Sequence, residues 1–134
     1  MQKALFEASI EMLVPILSWI RTYIAPLQLS RKIAKHIELS TEEAVVNIIQ
    51  HAYKKKKGEI EISLNRPSEE LLEIFIKDKG PYFNPLTIDS YKERKRQRRK
   101  EGGLGILFIK ECMDEVRYQR VNGYNVLTLV KKIY

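Results

Sequence analysis

The chain has 134 residues, 44% of them hydrophobic and 31% charged, which fits one globular domain with its own core and excludes a disordered chain. Its formal net charge of +7 is gathered into two blocks, Lys54 to Lys57 and Lys92 to Lys100, so it does not describe the continuous basic face of a nucleic-acid binder. The single cysteine, Cys112, excludes an intrachain disulfide and sits in an apolar stretch that reads as core.

The first residues lack the basic-then-apolar layout of a signal peptide. The longest apolar stretch, near Met12 to Ile24, is interrupted by Pro15, Ser18, Arg21 and Thr22 and reads as too short to span a bilayer. A cytoplasmic protein with no membrane partner is expected.

In chain order, Ala4 to Ala8 predicts a short strand, with Ser9 as a turn or cap. A first helix is expected from about Val14 to before Pro26, because Ile16, Leu17, Ile20, Tyr23 and Ile24 recur at helical spacing and proline is tolerated only early in a helix. A second helix is expected from about Ser30 to Ala52, with Ile33, Ile37, Ala44, Ile48 and Ala52 along one face. The lysine block and Gly58 end it. Two half-buried strands follow, Glu59 to Leu64 and Leu72 to Asp78, joined by a turn at Asn65 to Ser68. Lys79 to Gly103 reads as a long functional loop, and Gly103 to about Met113 as a short helix. Strands at Glu115 to Arg120 and Asn125 to Lys131 close on the turn Asn122-Gly123. This order predicts an α+β fold, a two-layer sandwich of a mostly antiparallel sheet with helices on one face, in a single domain spanning residues 1–134.

Four features carry chemistry. Glu43, Asn47 and His51 are spaced by four on the second helix and share one face. Asparagine is a poor helix former, and its amide oxygen is a suitable magnesium ligand, while a nearby carboxylate can accept a proton from a hydroxyl. A solvated polar stripe is the plainer reading of that row. Asp78 closes a strand and is followed two residues later by Gly80, an arrangement that could read an exocyclic amine with backbone close beneath a flat ring. Gly102-Gly103-Leu104-Gly105 opens a helix, where converging N–H groups favour an anion, although neither the P-loop nor the Rossmann spacing is present. The basic run from Lys92 to Lys100 immediately precedes those glycines and could fold over phosphates.

The order of these features, with a threonine in the last strand, resembles the Bergerat-type ATPase superfamily of gyrase, heat-shock chaperone, histidine kinase and mismatch-repair ATPases. The segments Ser40 to Tyr53, Phe83-Asn84-Pro85, Gly102 to Gly105, Met113 to Val116 and Asn125 to Lys131 resemble more narrowly the anti-sigma-factor serine/threonine kinases. The resemblance runs from about Leu5 to Lys131 and implies ATP and Mg2+ as cofactors. Glu43 then matches the general base and Asn47 the metal ligand, with His51 near the phosphates. Asp78 reads adenine with Gly80 beneath the ring and Thr128 supporting the same pocket. Gly102, Gly103, Leu104 and Gly105 match the hinge and phosphate contacts of an ATP lid at about residues 84–103. The implied partners are an anti-anti-sigma (STAS-type) protein and a sigma factor, with no direct nucleic-acid contact. Relatives of this kind are often homodimers, and the first helix offers a surface for one, or more simply a core helix. One departure stands out: such kinases carry an arginine two residues before the first lid glycine, and here that position is Glu101, with Arg99 and Lys100 the nearest cations. Lys100 is therefore expected to reach the nucleotide. A non-catalytic ATP- or ADP-binding module that controls a partner by lid closure is the alternative.

Overall fold

A computed structural model describes residues 1–54, 56–87 and 103–134. Among them, five strands form one sheet: β1 (Gln2–Glu7), β2 (Glu59–Ser68), β3 (Leu71–Asp78), β4 (Glu115–Val121) and β5 (Tyr124–Lys132). Their spatial order is β1-β2-β3-β5-β4, and every neighbouring pair is antiparallel. Helices α1 (Leu13–Ile24), α2 (Arg31–Asn47) and α3 (Gly103–Cys112) accompany the sheet. The α+β architecture expected from the sequence is the one found.

Alternation along the strands decides which face the helices cover. Ile60, Ile62 and Leu64 of β2, Leu72, Ile74 and Ile76 of β3, and Leu127 and Leu129 of β5 share one parity and are buried together with Ile16, Ile20 and Ile24 of α1 and Ile37, Ala44 and Val45 of α2. Sealing each Ile, Leu or Val among them contributes about 1.5–3 kcal/mol relative to leaving it in water. The stretch Ile10–Leu27 is, by length and composition alone, apolar enough to cross a membrane, which corrects the expectation that no stretch reaches that length. It consists of α1 between two 3-10 turns, Ile10–Met12 and Ala25–Leu27, and its Ile16, Ile20 and Ile24 are spent on the core.

Ser30 caps α2, its hydroxyl accepting from the Ile33 N–H at 3.2 Å. Arg21 of α1 pairs with the buried Glu38 of α2 and ties the two helices together. The sequence suggests one continuous α-helix to Ala52. Instead α2 gives way after Asn47 to a π-helical turn, Ile48–Ala52, closed by the Tyr53 N–H donating to the Ile48 carbonyl at 2.9 Å. Such turns concentrate at functional sites.

The first hairpin also differs from expectation. Asn65 to Ser68 belong to β2, and the chain turns at Glu69-Glu70. Arg66 holds that turn by donating to the Leu71 carbonyl at 3.2 Å and the Glu69 carbonyl at 2.7 Å. Pro67 falls where the β2–β3 register shifts, and β1 pairs with β2 only as far as Leu64, so the missing N–H breaks no ladder bond. The second hairpin is as expected: Asn122 (φ 50°) and Gly123 (φ 83°) make the two-residue turn that suits the twist of β4 and β5. Cys112 is buried, as its apolar surroundings suggested, and burial pushes its thiol pKa up.

Candidate functional site

At the end of β3, Asp78 points to the helix-covered face and is almost sealed, 3% exposed. Burial pushes its carboxyl above the ordinary carboxylate range, against the opposing pull of hydrogen bonds from Asn125 and Gly80 and of the Arg120 charge. Both hydrogen bonds fall on one oxygen: the Gly80 N–H donates to Oδ1 at 2.8 Å, and Asn125 Nδ2 donates to the same Oδ1 at 2.9 Å. Gly80 packs on the π turn, where a Cβ at its position would stand 3.1 Å from Ala52 Cβ and 3.2 Å from the Ala52 carbonyl oxygen. Tyr53, at the end of that turn, joins the two strand ends, donating through its hydroxyl to the Glu59 carbonyl at 2.7 Å and accepting from the Lys79 N–H at 2.9 Å.

Asp78 and Asn47 line one cleft, together with Ala44, Ile48, Phe83 and Tyr118. The cleft is mostly apolar. With residues 81–87 in this position its free space is about 20 Å³, enough for roughly one water. A purine can enter only if Phe83 and Pro85, which form one wall, move aside.

The other end of the site is where α3 meets α2. Gly105, in the first turn of α3, lies against the polar row of α2: a Cβ built on it would stand 2.6 Å from Glu43 Oε2 and 3.8 Å from Asn47 Nδ2. Only glycine permits that approach without displacing the carboxylate. Asn47 is buried, 6% exposed, on a helix whose core-facing neighbours Ala44 and Ile48 are also buried. The plainer reading, a solvated stripe, therefore fails at Asn47.

Glu43, Asn47 and Gly105 thus converge, and Asn47 shares a cleft with Asp78 and, through it, Gly80. His51 takes another position. It stacks on Phe83 with ring centroids 5.6 Å apart, and it is not among the residues lining the cleft. Thr128 is a correction. The β3–β5 register pairs it with Phe75, whereas Asp78 pairs with Asn125, so Thr128 has the opposite parity and faces away from the Asp78 pocket. Phe75 belongs to an open hollow on that far sheet face, which also includes Lys3, Glu61, Lys77 and Tyr124 and which no predicted site residue reaches. Gly103 begins α3. The Leu104 side chain, Lys100, Gly102 and Glu101 lie outside the described residues, as does most of the expected lid at 84–103.

The residue that sequence reasoning missed is Asn125. It is 3% exposed and holds both Asp78 and the loop that follows it. A signal was present, since Asn125 shares its strand parity with Leu127 and Leu129 and is thus a polar residue on the core face.

Chemically, a carboxylate oxygen at the end of a narrow apolar cleft suits an exocyclic amine. The first turn of the ten-residue α3 suits an anion, and a buried amide beside a carboxylate suits a cation that draws its other ligands from water and phosphate. Among the described residues no three His, Cys, Asp or Glu side chains cluster to hold a metal by themselves.

A family model described as the histidine kinase-like ATPase domain matches residues 6–131. A serine-protein kinase RsbW from Bacillus mycoides is 36% identical over 96 residues, 68% of this chain and 59% of the relative. Its counterpart from Bacillus subtilis is 33% identical over 104 residues, 67% of this chain and 59% of the relative. The matches therefore span a little under three fifths of those relatives' length. Among solved structures, the RsbU and RsbW domains of a Mycobacterium tuberculosis protein superpose with a TM-score of 0.65 at 14% identity, covering 99% of this chain and 33% of that one, a likeness of fold. A five-stranded antiparallel sheet under helices, a buried Asp78 at a strand end, and a family match over nearly the whole chain lead to one conclusion: the chain belongs to the histidine kinase-like ATPase domain family.

Proposed function

We propose that the chain binds ATP with Mg2+ and transfers the γ-phosphoryl group to a serine or threonine hydroxyl of a protein partner. The observation that carries this reading is the meeting of Glu43, Asn47 and Gly105 next to the cleft that ends at Asp78. Asp78 Oδ2 accepts the adenine amine, and the first turn of α3 receives phosphate oxygens. Asn47 offers its amide oxygen to the metal, which, when bound, offsets charge on the phosphates. Glu43 takes the proton of the acceptor hydroxyl as its oxygen bonds to the γ-phosphorus. The bond from that phosphorus to the bridging oxygen breaks, and ADP leaves with the electron pair.

The names of the bacterial relatives support a protein serine kinase, and the sequence resemblance supports an anti-anti-sigma protein as acceptor and a sigma factor as second partner. A cytoplasmic location follows from the same reading. One observation favours a second reading: Glu101 stands where kinases of this kind carry an arginine, which suits a module that binds ATP or ADP and governs a partner without transfer.

Radiolabelled ATP with candidate acceptor proteins separates the two. Label on an acceptor serine or threonine, lost by about 10²–10⁴-fold in Glu43→Gln while nucleotide affinity stays, is the kinase result. ATP binding with no transfer to any acceptor favours the module, and equal transfer by both proteins removes Glu43 from the role of base.

A further inference from the structure

Asn125 lies at the start of β5, in the strand whose Thr128 the resemblance assigns to the pocket, and its own side chain makes five hydrogen bonds among the described residues. Its Nδ2 donates to Asp78 Oδ1 at 2.9 Å and to the Pro81 carbonyl at 2.9 Å. Its Oδ1 accepts from the Phe83 N–H at 3.1 Å, from Arg120 Nη1 at 3.1 Å and from the Tyr118 hydroxyl at 2.5 Å. These partners fix the amide's orientation. A backbone N–H and a guanidinium can only donate, and a carbonyl can only accept, so the two ends cannot be exchanged. Arg120 also donates to the Gly80 carbonyl at 2.8 Å. The segment 80–83, whose Phe83 lines the cleft, is therefore fastened to the β4–β5 hairpin at four backbone groups: the carbonyls of Gly80 and Pro81, the N–H of Phe83, and the Gly80 N–H through Asp78.

The consequence for Asp78 is specific. Its Oδ1 takes two donors, from Gly80 and Asn125, and among the described residues no hydrogen bond falls on Oδ2. Resting on the nucleotide reading above, we infer that Asn125 is a positioning residue for base selection: by engaging Oδ1 it holds Asp78 so that Oδ2 alone faces the cleft, as an acceptor that fits a 6-amino purine and repels a 6-oxo purine. A site built around one buried acceptor discriminates strongly, because the wrong base leaves that acceptor unpaired. The charged or titratable groups around Asp78 are Arg120 and Tyr118 of β4, both of which donate to Asn125 Oδ1, and Tyr53 at the end of the π turn, whose hydroxyl donates to the Glu59 carbonyl.

The test compares ATP with inosine triphosphate by calorimetry, in wild type and three variants, between about pH 8 and about pH 5.5. Asn125→Asp keeps the acceptors for Phe83, Arg120 and Tyr118 but cannot donate to Asp78 when ionised. Its preference for ATP is expected to fall about tenfold at the upper pH and to recover as the two carboxyls come to share a proton that restores the donor. Asn125→Leu removes the donor without adding charge and is expected to lose the preference similarly, with no recovery. Asn125→Thr keeps one donor and is expected to stay within about threefold of wild type across the range. An unchanged ATP preference in both the Asp and Leu variants overturns the inference, and so does an equal loss of both nucleotides in all three variants, which is the mark of a merely structural role. Wild type that binds neither nucleotide overturns the ATP reading itself, whereas wild type that binds ATP beside variants of unaltered selectivity overturns only the role of Asn125.

Discussion

At the base end, Asp78 and Asn125 face each other across two central strands at fixed register, and Asn125 alone closes five hydrogen bonds around the cleft. At the phosphate end, Glu43, Asn47 and Gly105 come from two helices, and their spacing depends on an absent side chain. A sheet register cannot drift by less than a whole residue, and a slip of one turns every side chain to the other face. Two helices packed through a glycine can shift by fractions of an ångström. The Asp78–Asn125 pair is thus built to hold one geometry and the Gly105 contact to be tuned, which suits the proposed division between binding at one end and phosphoryl transfer at the other.

That contrast is open to attack at Gly105. A methyl group there would stand 2.6 Å from Glu43 Oε2, the far end of a flexible side chain, so Gly105→Ala rotates the carboxylate rather than the backbone. Phosphoryl transfer is expected to fall about 10–100-fold. Thermal stability is expected to hold or rise, since alanine favours a helix over glycine by about 1 kcal/mol. Transfer kinetics alongside a melting curve check both halves. Unchanged transfer would mean that Glu43 need not sit where it does.

Asp78→Asn probes the other end. The amide that replaces the carboxylate can no longer accept through both of its terminal atoms, so ATP affinity is expected to drop by tenfold or more. Stability moves the other way. Burial raises the Asp78 pKa above its unfolded value, so the native state holds that proton more tightly. Ionising Asp78 therefore costs stability as the pH rises from the ordinary carboxylate range through the raised native value. The variant is expected to lack this component and to melt higher than wild type at neutral pH. A variant that melts lower there would contradict the burial argument.

The smallest effect is expected at Tyr53, which ties the ends of β2 and β3 together. Tyr53→Phe removes the hydroxyl that bridges the Glu59 carbonyl and the Lys79 N–H. A loss of about 1 kcal/mol in denaturant unfolding, with little change in nucleotide selectivity, is the expected outcome.

Much of this arrangement was legible in the sequence because it rests on local periodicity. Alternation placed β2, β3 and β5, the Asn122-Gly123 pair placed the second hairpin, and the spacing of Glu43 and Asn47 put both on one helix face. What was missed depends on tertiary contacts or on exact parity. The π turn at Ile48–Ala52 leaves no mark in a pattern of apolar residues, since its altered hydrogen bonds keep Ile48, Ile49 and Ala52 buried. Asn65 to Ser68 are turn-formers, but Arg66 and the register shift let them finish a strand. Thr128 shares the last strand with the pocket, yet three residues along a strand reverses the face, which leaves Asn125 beside Asp78.

Calorimetric titration of ATP into wild type and Asn47→Ala, with and without Mg2+, tests the central claim most directly. Magnesium is expected to tighten ATP binding by the wild type, whereas Asn47→Ala is expected to bind more weakly and no longer respond to the metal. Identical magnesium-dependent binding by the two proteins would contradict it, because the polar row of α2 would then have no part in holding the nucleotide.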